Sequence, residues 1–279
     1  MPTKNRLELL KRAVESVFAQ SYTNVDLHIV DDGSTDGTYE YLLALASEKA
    51  NVHVYRNEKS LGACASRNIA IKSAKGEFVT GLDDDDLFLP HRISSLVEAY
   101  DDQYAFCCSS MWWDYGRKQR LIDASEQAIS LEQQLSYNEA TSQVLVKRHR
   151  VLDVGGFDES FVACQDYDLW TRLMLKYGSS YRIANPSYII NDTGSSERMI
   201  GNPKSVQGYQ QFFDKHHMHM TKANKSNQRF MTIRRERKAL TLIEFIRQIP
   251  AGHVSAKFRY FLSSNFGWVR KFRQFYTKG

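Results

Sequence analysis

The 279-residue chain has no apolar run approaching the roughly 20 residues that a bilayer-spanning helix needs, so no segment of it is expected to cross a membrane. Its four cysteines (Cys64, Cys107, Cys108 and Cys164) show neither CxxC nor zinc-type spacing. No signal peptide is recognisable either, and the expectation is a cytoplasmic protein with reduced thiols. A strong excess of one charge is also missing, the net charge being +5. What remains is 42% apolar residues, enough for a substantial core and too many for a disordered chain. This length suits one large domain, or one domain with an appendage.

The first half alternates between two periodicities. Leu7, Leu10, Ala13, Val14, Val17 and Phe18 recur every three or four residues and predict a helix. Val25–Val30 alternates as a strand does and runs into Asp31-Asp32-Gly33-Ser34, a turn-rich segment. A helix over 39–50, a strand over 52–55, a helix over about 63–74 and a strand over 77–82 follow. Strands alternating with helices predict an α/β fold, a mostly parallel sheet with helices on both faces. In such sheets ligands bind beyond the carboxyl ends of the strands.

Two acidic groups occupy such ends. Asp32 follows one strand, where a carboxylate can accept hydrogen bonds from a base or ribose, or simply cap a turn. Asp83-Asp84-Asp85-Asp86 closes Phe78-Val79-Thr80-Gly81-Leu82, and Pro90 starts a helix soon after. Four carboxylates in a row repel one another and gain nothing for folding. At the end of a buried strand they concentrate hard oxygen ligands, which suits Mg²⁺ or Mn²⁺ taken together with substrate phosphates. Arg67 reads either as a phosphate contact or as a solvated surface arginine.

Pro2-Thr3-Lys4-Asn5-Arg6, Val30-Asp31-Asp32-Gly33-Ser34, Arg67-Asn68, Gly76-Glu77-Phe78 and Leu82–Asp86 occur in this order. The ordered set resembles the family 2 glycosyltransferases, which have the Rossmann-like GT-A fold. That resemblance implies a nucleotide-sugar site at Pro2, Thr3, Asn5, Arg6, Asp32, Arg67, Asp83 and Asp84, with Asp85 on a Mn²⁺ or Mg²⁺ ion. The family pattern carries an apolar strand before Pro-Thr, and the expectation is a natural start upstream of Met1 or a truncated chain.

Further on, Cys164-Gln165-Asp166-Tyr167-Asp168-Leu169-Trp170 places Asp166 in or before the first turn of a helix, where the helix dipole favours an ionised carboxylate. It resembles the family's ED motif, which implies that Asp166 is the catalytic base. The motif's Glu is Gln165 here. One base without a separate protein nucleophile implies single displacement with inversion at the anomeric carbon. The implied donor is a nucleotide-diphosphate sugar, a UDP-sugar as the family's commonest case. The implied acceptor is a lipid-linked saccharide, in cell-surface polysaccharide synthesis. A non-catalytic scaffold of the same fold and a processive synthase are the alternatives; no Q-x-x-R-W element supports the second.

Residues 114–134 are expected to form a loop over the site, and 143–146 a strand on the acceptor side. His216, His217 and His219 read as metal ligands or as a polar helix end, and none is assigned a role. The expected domains are a catalytic unit over 1–225 and a basic amphipathic helical tail over 226–279. In the tail Leu242, Phe245, Ile246 and Ile249 form one apolar stripe. Such helices suit an anionic membrane surface, here the inner face of the cell membrane, or pack against the catalytic domain. No nucleic-acid module accompanies the charge, so nucleic acid is not an expected partner.

Overall fold

A computed structural model describes residues 1–140, 143–192 and 203–269. The chain begins with β1 (Pro2–Thr3), α1 (Leu7–Phe18), β2 (Leu27–Asp31), α2 (Thr38–Glu48), β3 (Val52–Arg56), α3 (Ala63–Ser73) and β4 (Phe78–Thr80). It continues through β5 (Leu87–Phe88), α4 (Arg92–Glu98), β6 (Cys107–Asp114), β7 (Gln119–Ile122), β8 (Gln127–Ile129), α5 (Leu131–Ser136), β9 (Leu145–Lys147), α6 (Arg148–Asp153), α7 (Gln165–Tyr177) and β10 (Ser180–Asn191). Helices α8 (Pro203–His216), α9 (Lys222–Arg235), α10 (Leu242–Gln248) and α11 (Val254–Asn265) complete it.

β1, β2 and β3 form a parallel three-stranded sheet in that order. Leu10, Ala13, Val14 and Val17 put the buried stripe of α1 against Leu27, Ile29 and Val52 of this sheet. Each fully buried aliphatic side chain there contributes about 1.5–3 kcal/mol. The second sheet runs β4-β9-β6-β10-β5, with β7 on β6 and β8 on β10. Its pairings are antiparallel except for β6 with β10. The α/β class therefore stands, while the expected parallel pairing is confined to the first sheet and to β6–β10. The short connection at Tyr115–Lys118 makes β6 and β7 a hairpin, and a hairpin can only be antiparallel.

No ladder joins β1 to β4 among the described residues. The nitrogen of Met1 bonds the carbonyl of His28 at 2.8 Å, one position beyond β1. A cavity of about 330 Å³, lined by Val17, Leu27, Ala70, Val79 and Leu82 among others, lies between β2 and β4. It lies at the junction of the sheets, and Arg67 and Gln143, the partners of Asp83, are also among its lining residues.

Three expectations are corrected. Residues 114–134 form β7, β8 and the start of α5, because Gln119–Ile122 and Gln127–Ile129 find partners in β6 and β10. The last strand, which the sequence marks only at Tyr188-Ile189-Ile190, is longer: β10 starts at Ser180 and shifts register between Ile183 and Tyr188. Pro186, which has no amide to give the ladder, lies in that interval. The domain boundary at 225/226 falls inside α9. Asn224, Asn227 and Gln228 bond the end of α5 there, and Phe230 and Met231 share a core with Tyr167 and Phe212, so α9 belongs to the body.

Beyond α9, Lys257 of the expected basic face is fully buried and donates to Asn227 Oδ1 (2.7 Å) and the Gln248 carbonyl (2.8 Å), tying α11 to α9. Phe245 packs on Phe258 and Phe261. Leu242, Ile243 and Ile246 are more than half exposed. The sequence marks 191–204 as a polar loop, of which residues 193–202 lie outside the described residues, as do residues 270–279 of the tail. No helix among the described residues is long and apolar enough to cross a membrane.

Candidate active site

The four consecutive aspartates fold into a tight turn in which the Asp86 amide bonds the Asp83 carbonyl (3.1 Å). The turn sends like charges in different directions. Asp83 Oδ1 accepts from Arg67 (2.7 Å) and from the Gln143 amide (3.1 Å). Asp84 and Asp85 share Arg6, whose Nη1 lies 3.0 Å from one and 2.9 Å from the other. Asp86 turns to β10 and accepts from the Tyr188 hydroxyl (2.7 Å) and the Asn191 amide (2.9 Å). Asp86 thus anchors a strand. Gly81 precedes the turn because Gln143 presses on it: a Cβ there would meet Gln143 Oε1 at 1.9 Å.

Burial raises the pKa of Asp84 and Asp85 despite the opposing pull of Arg6, and Asp83 raises both further. Burial raises that of Asp86 as well, with Asp83 adding to the effect. These carboxylates hold their charge at a cost that a cation or a cationic side chain relieves. The single Arg6 nitrogen between Asp84 and Asp85 demonstrates that one positive charge fits there. No three carboxylate oxygens of the turn converge within 4.8 Å among the described residues. Mg²⁺ and Mn²⁺ need less, since one or two carboxylates plus substrate phosphates hold them. The donor set fits such an ion.

Asp166 sits in the first turn of α7, after Cys164 in a left-handed conformation. Its Oδ2 accepts from Asn138 (3.0 Å). Burial pushes its pKa up to about 6, against the Tyr167 amide and Arg67, while Asp83 pushes the same way. Asp166 and Asp83 thus lie within electrostatic reach of each other, with Arg67 coupled to both. Arg67 links the acidic turn to the α7 tip electrostatically.

Asn68, next to Arg67, fixes that geometry. Its Oδ1 accepts from the Phe157 amide and its Nδ2 donates to the Phe157 carbonyl, both at 2.8 Å. Gly156 lets it approach, with φ of +72° and a hypothetical Cβ only 2.6 Å from Asn68 Oδ1. Two residues past Asp166, the fully buried Asp168 accepts from His216 (2.8 Å) and Arg172 (2.8 Å), and Lys215 lies at 3.0 Å. Burial alone would raise the pKa of Asp168; His216 and Arg172, then Lys215, hold it below the usual carboxylate range. Arg172 also holds the carbonyls of Val154 and Gly156, so this cluster locks α7 to α8 and to the turn on Asn68.

A second polar cluster is built at the tips of β1 and β2. Thr3 is buried, and its carbonyl accepts from the Asp32 amide (2.9 Å). Asn5, at φ of +51°, accepts from the Thr35 amide (2.8 Å) and bonds Ser34 Oγ through its own amide (2.9 Å). Pro2 lies in β1 itself. Asp32 accepts from Asn57 (2.7 Å), Ser60 (2.6 Å) and the amides of Leu61 (2.8 Å) and Gly62 (3.0 Å). Burial would raise its pKa, but those donors bring it below the ordinary value. Asp32 therefore organises the 57–62 loop.

The sequence profile of Glycosyl transferase family 2 matches residues 1–150, and that of Glycosyltransferase like family 2 matches residues 108–225. The chain belongs to glycosyltransferase family 2. It is 32% identical over 254 residues to WcaA of Escherichia coli K12, described as a colanic acid biosynthesis glycosyl transferase, covering 86% of this chain and 88% of that one. It is 28% identical over 176 residues to the E. coli UDP-Glc:alpha-D-GlcNAc-diphosphoundecaprenol beta-1,3-glucosyltransferase WfaP, covering 62% and 67%. Among solved structures, S. aureus TarS 1–349 with UDP-GlcNAc superposes with a TM-score of 0.66 at 17% identity, over 96% of this chain and 81% of that one. The chain spans 49% of a longer TarS chain. The mannosyltransferase PcManGT from Pyrobaculum calidifontis, in complex with GDP-Man and Mn²⁺, gives a TM-score of 0.59 at 18% identity, over 95% and 74%. The fold of this glycosyltransferase is GT-A.

Proposed function

We propose that this glycosyltransferase moves a sugar from a UDP-sugar to a hydroxyl of a lipid-diphosphate-linked saccharide, with inversion, in cell-surface polysaccharide synthesis. The observation that carries the reading is the placement of Asp166 in the first turn of α7, held by Asn138 and acted on by the charge of Arg67, which itself grips Asp83. Burial there pushes the Asp166 pKa up to about 6. A base poised near neutrality suits proton abstraction from an acceptor hydroxyl. The relatives named for colanic acid and for a diphosphoundecaprenol acceptor support the acceptor class, and the neighbour holding UDP-GlcNAc supports the donor class.

In the proposed step the acceptor oxygen forms its bond to the anomeric carbon as its proton passes to Asp166. The bond from that carbon to the diphosphate breaks, and the electron pair leaves with the nucleoside diphosphate. Asp85, with Asp83 or Asp84, would hold Mg²⁺ or Mn²⁺, whose chemistry there is to stabilise charge on the departing diphosphate. Arg6 and Arg67 then turn to the phosphates. Asp32 reaches the nucleoside by exchanging the Ser60 hydroxyl, while Pro2, Thr3 and Asn5 shape the backbone around it. Asn138 orients the base.

The test is Asp166→Asn with UDP-sugars and a synthetic lipid-diphosphate acceptor. The expected variant binds UDP as the parent does and transfers no sugar. Turnover at the parent's rate removes Asp166 from this role, and a parent chain silent with every donor favours the scaffold alternative. The exposed Leu242, Ile243 and Ile246 on α10, with Arg247 beside them, support seating on the inner face of the cell membrane. Leu242→Glu with Ile246→Glu is expected to weaken sedimentation with anionic vesicles. Unchanged sedimentation would return α10 to a non-membrane role.

A further inference from the structure

At the opposite end of the first sheet, three side chains that the transfer reaction does not use stand together. His28 of β2 and His53 of β3 are direct cross-strand partners. Their rings stack with centroids 4.6 Å apart. Asp26, two residues before His28 and therefore on the same face, brings Oδ1 to 3.8 Å from His53 Nε2. One ligand atom from each of the three lies within 4.8 Å of the others. His28 Nδ1 is bonded to the Tyr55 hydroxyl at 3.1 Å. Such an outer partner fixes the ring orientation and leaves Nε2 for a metal.

We propose that Asp26, His28 and His53 form a second cation site, for Zn²⁺ or another divalent transition ion that favours imidazole. Two imidazoles and one carboxylate make a three-ligand set, which water completes to a tetrahedron. Zinc–nitrogen and zinc–oxygen distances of about 2.0–2.2 Å put neighbouring ligand atoms roughly 3.5 Å apart. Side-chain rotation alone closes the difference from 4.8 Å, because the strand register has already aligned the two histidines. The acidic turn offers only hard oxygens and selects Mg²⁺ or Mn²⁺, so the two sites differ in the ion they prefer. Occupied, this one staples the edge strand β3 to β2 at the strand starts, away from the tips where the donor binds.

The test is calorimetric titration of the full-length chain with Zn²⁺ in excess Mg²⁺, which fills carboxylate sites and leaves imidazoles free, alongside thermal melting. One Zn²⁺ per chain is expected, with a rise in Tm. His53→Gln and His28→Gln should each weaken binding at least about tenfold, and Asp26→Asn less. Asp85→Asn should leave the zinc stoichiometry unchanged. His53 is partly exposed, so His53→Gln should melt near the parent's temperature without zinc. Absence of stoichiometric zinc binding, or binding undiminished in both histidine variants, overturns the proposal and leaves a stacked imidazole pair beside a carboxylate.

Discussion

Replacing Asp166 by Asn separates its chemical contribution from its structural one. A pKa of about 6 leaves about one Asp166 in eleven ionised at pH 5 and about ten in eleven at pH 7. If the ionised form takes the acceptor's proton, kcat at saturating donor, acceptor and Mn²⁺ rises about tenfold over that interval. Saturating metal matters because the raised pKa values of Asp84 and Asp85 weaken cation binding as pH falls. Stability moves the other way. A carboxyl group whose folded pKa lies above its unfolded value of about 4 favours the fold in its neutral form. That contribution is complete below about pH 4 and lost as pH rises through about 6. Two pH units correspond to about 3 kcal/mol at most, and partial exposure to the cleft reduces this to ~1–2 kcal/mol. Asp166→Asn should therefore abolish transfer and raise the urea midpoint at pH 7, with the stability gain gone at pH 4. A flat kcat between pH 5 and 7, or a variant less stable than the parent at pH 7, would refute this reasoning.

Asp85→Asn is expected to cut transfer about 100-fold or more and to raise the Mn²⁺ concentration needed for half-maximal rate; an unchanged metal dependence would move the ion to another carboxylate. Asp168→Asn leaves Arg172 and Lys215 facing a neutral group in a buried site, a loss of ~3 kcal/mol or more measurable by urea unfolding, and a loss under 1 kcal/mol would show that these two cations find water. The buried Arg92 stacks on Phe88 and Tyr188 and donates to Ser109, Ser187 and the Gln143 carbonyl. Arg92→Met strands those three acceptors, and about 3 kcal/mol of stability should go with it; a variant of parental stability would show that they re-pair locally.

The first sheet and its helices were legible in the sequence because each element carries its own period. The α1 stripe of Leu10, Ala13, Val14 and Val17 is the one that is buried. Asp166 in a first turn and Asp83–Asp86 past a strand were legible because acidic residues after apolar runs mark strand tips and helix starts. The second sheet was less so, since β7 and β8 are strands by virtue of their partners and carry little apolar signal of their own. The supporting polar residues were missed altogether. Gln143, Asn138 and Asn57 act through contacts 60, 28 and 25 residues away in sequence, and no local pattern announces such a contact. Asn68 stands beside Arg67 in the sequence, but only the fold reveals that it grips both polar groups of the Phe157 backbone. His216 looked like a possible ligand and proves to be the partner of Asp168.

The anomeric configuration of the product, followed by NMR from a UDP-sugar of known configuration, tests most directly whether a single base and a diphosphate-gripping turn carry the reaction. Inversion is the expected result. Retention would demand a covalent or front-face route that one base at Asp166 does not provide, and would contradict the assignment of the site.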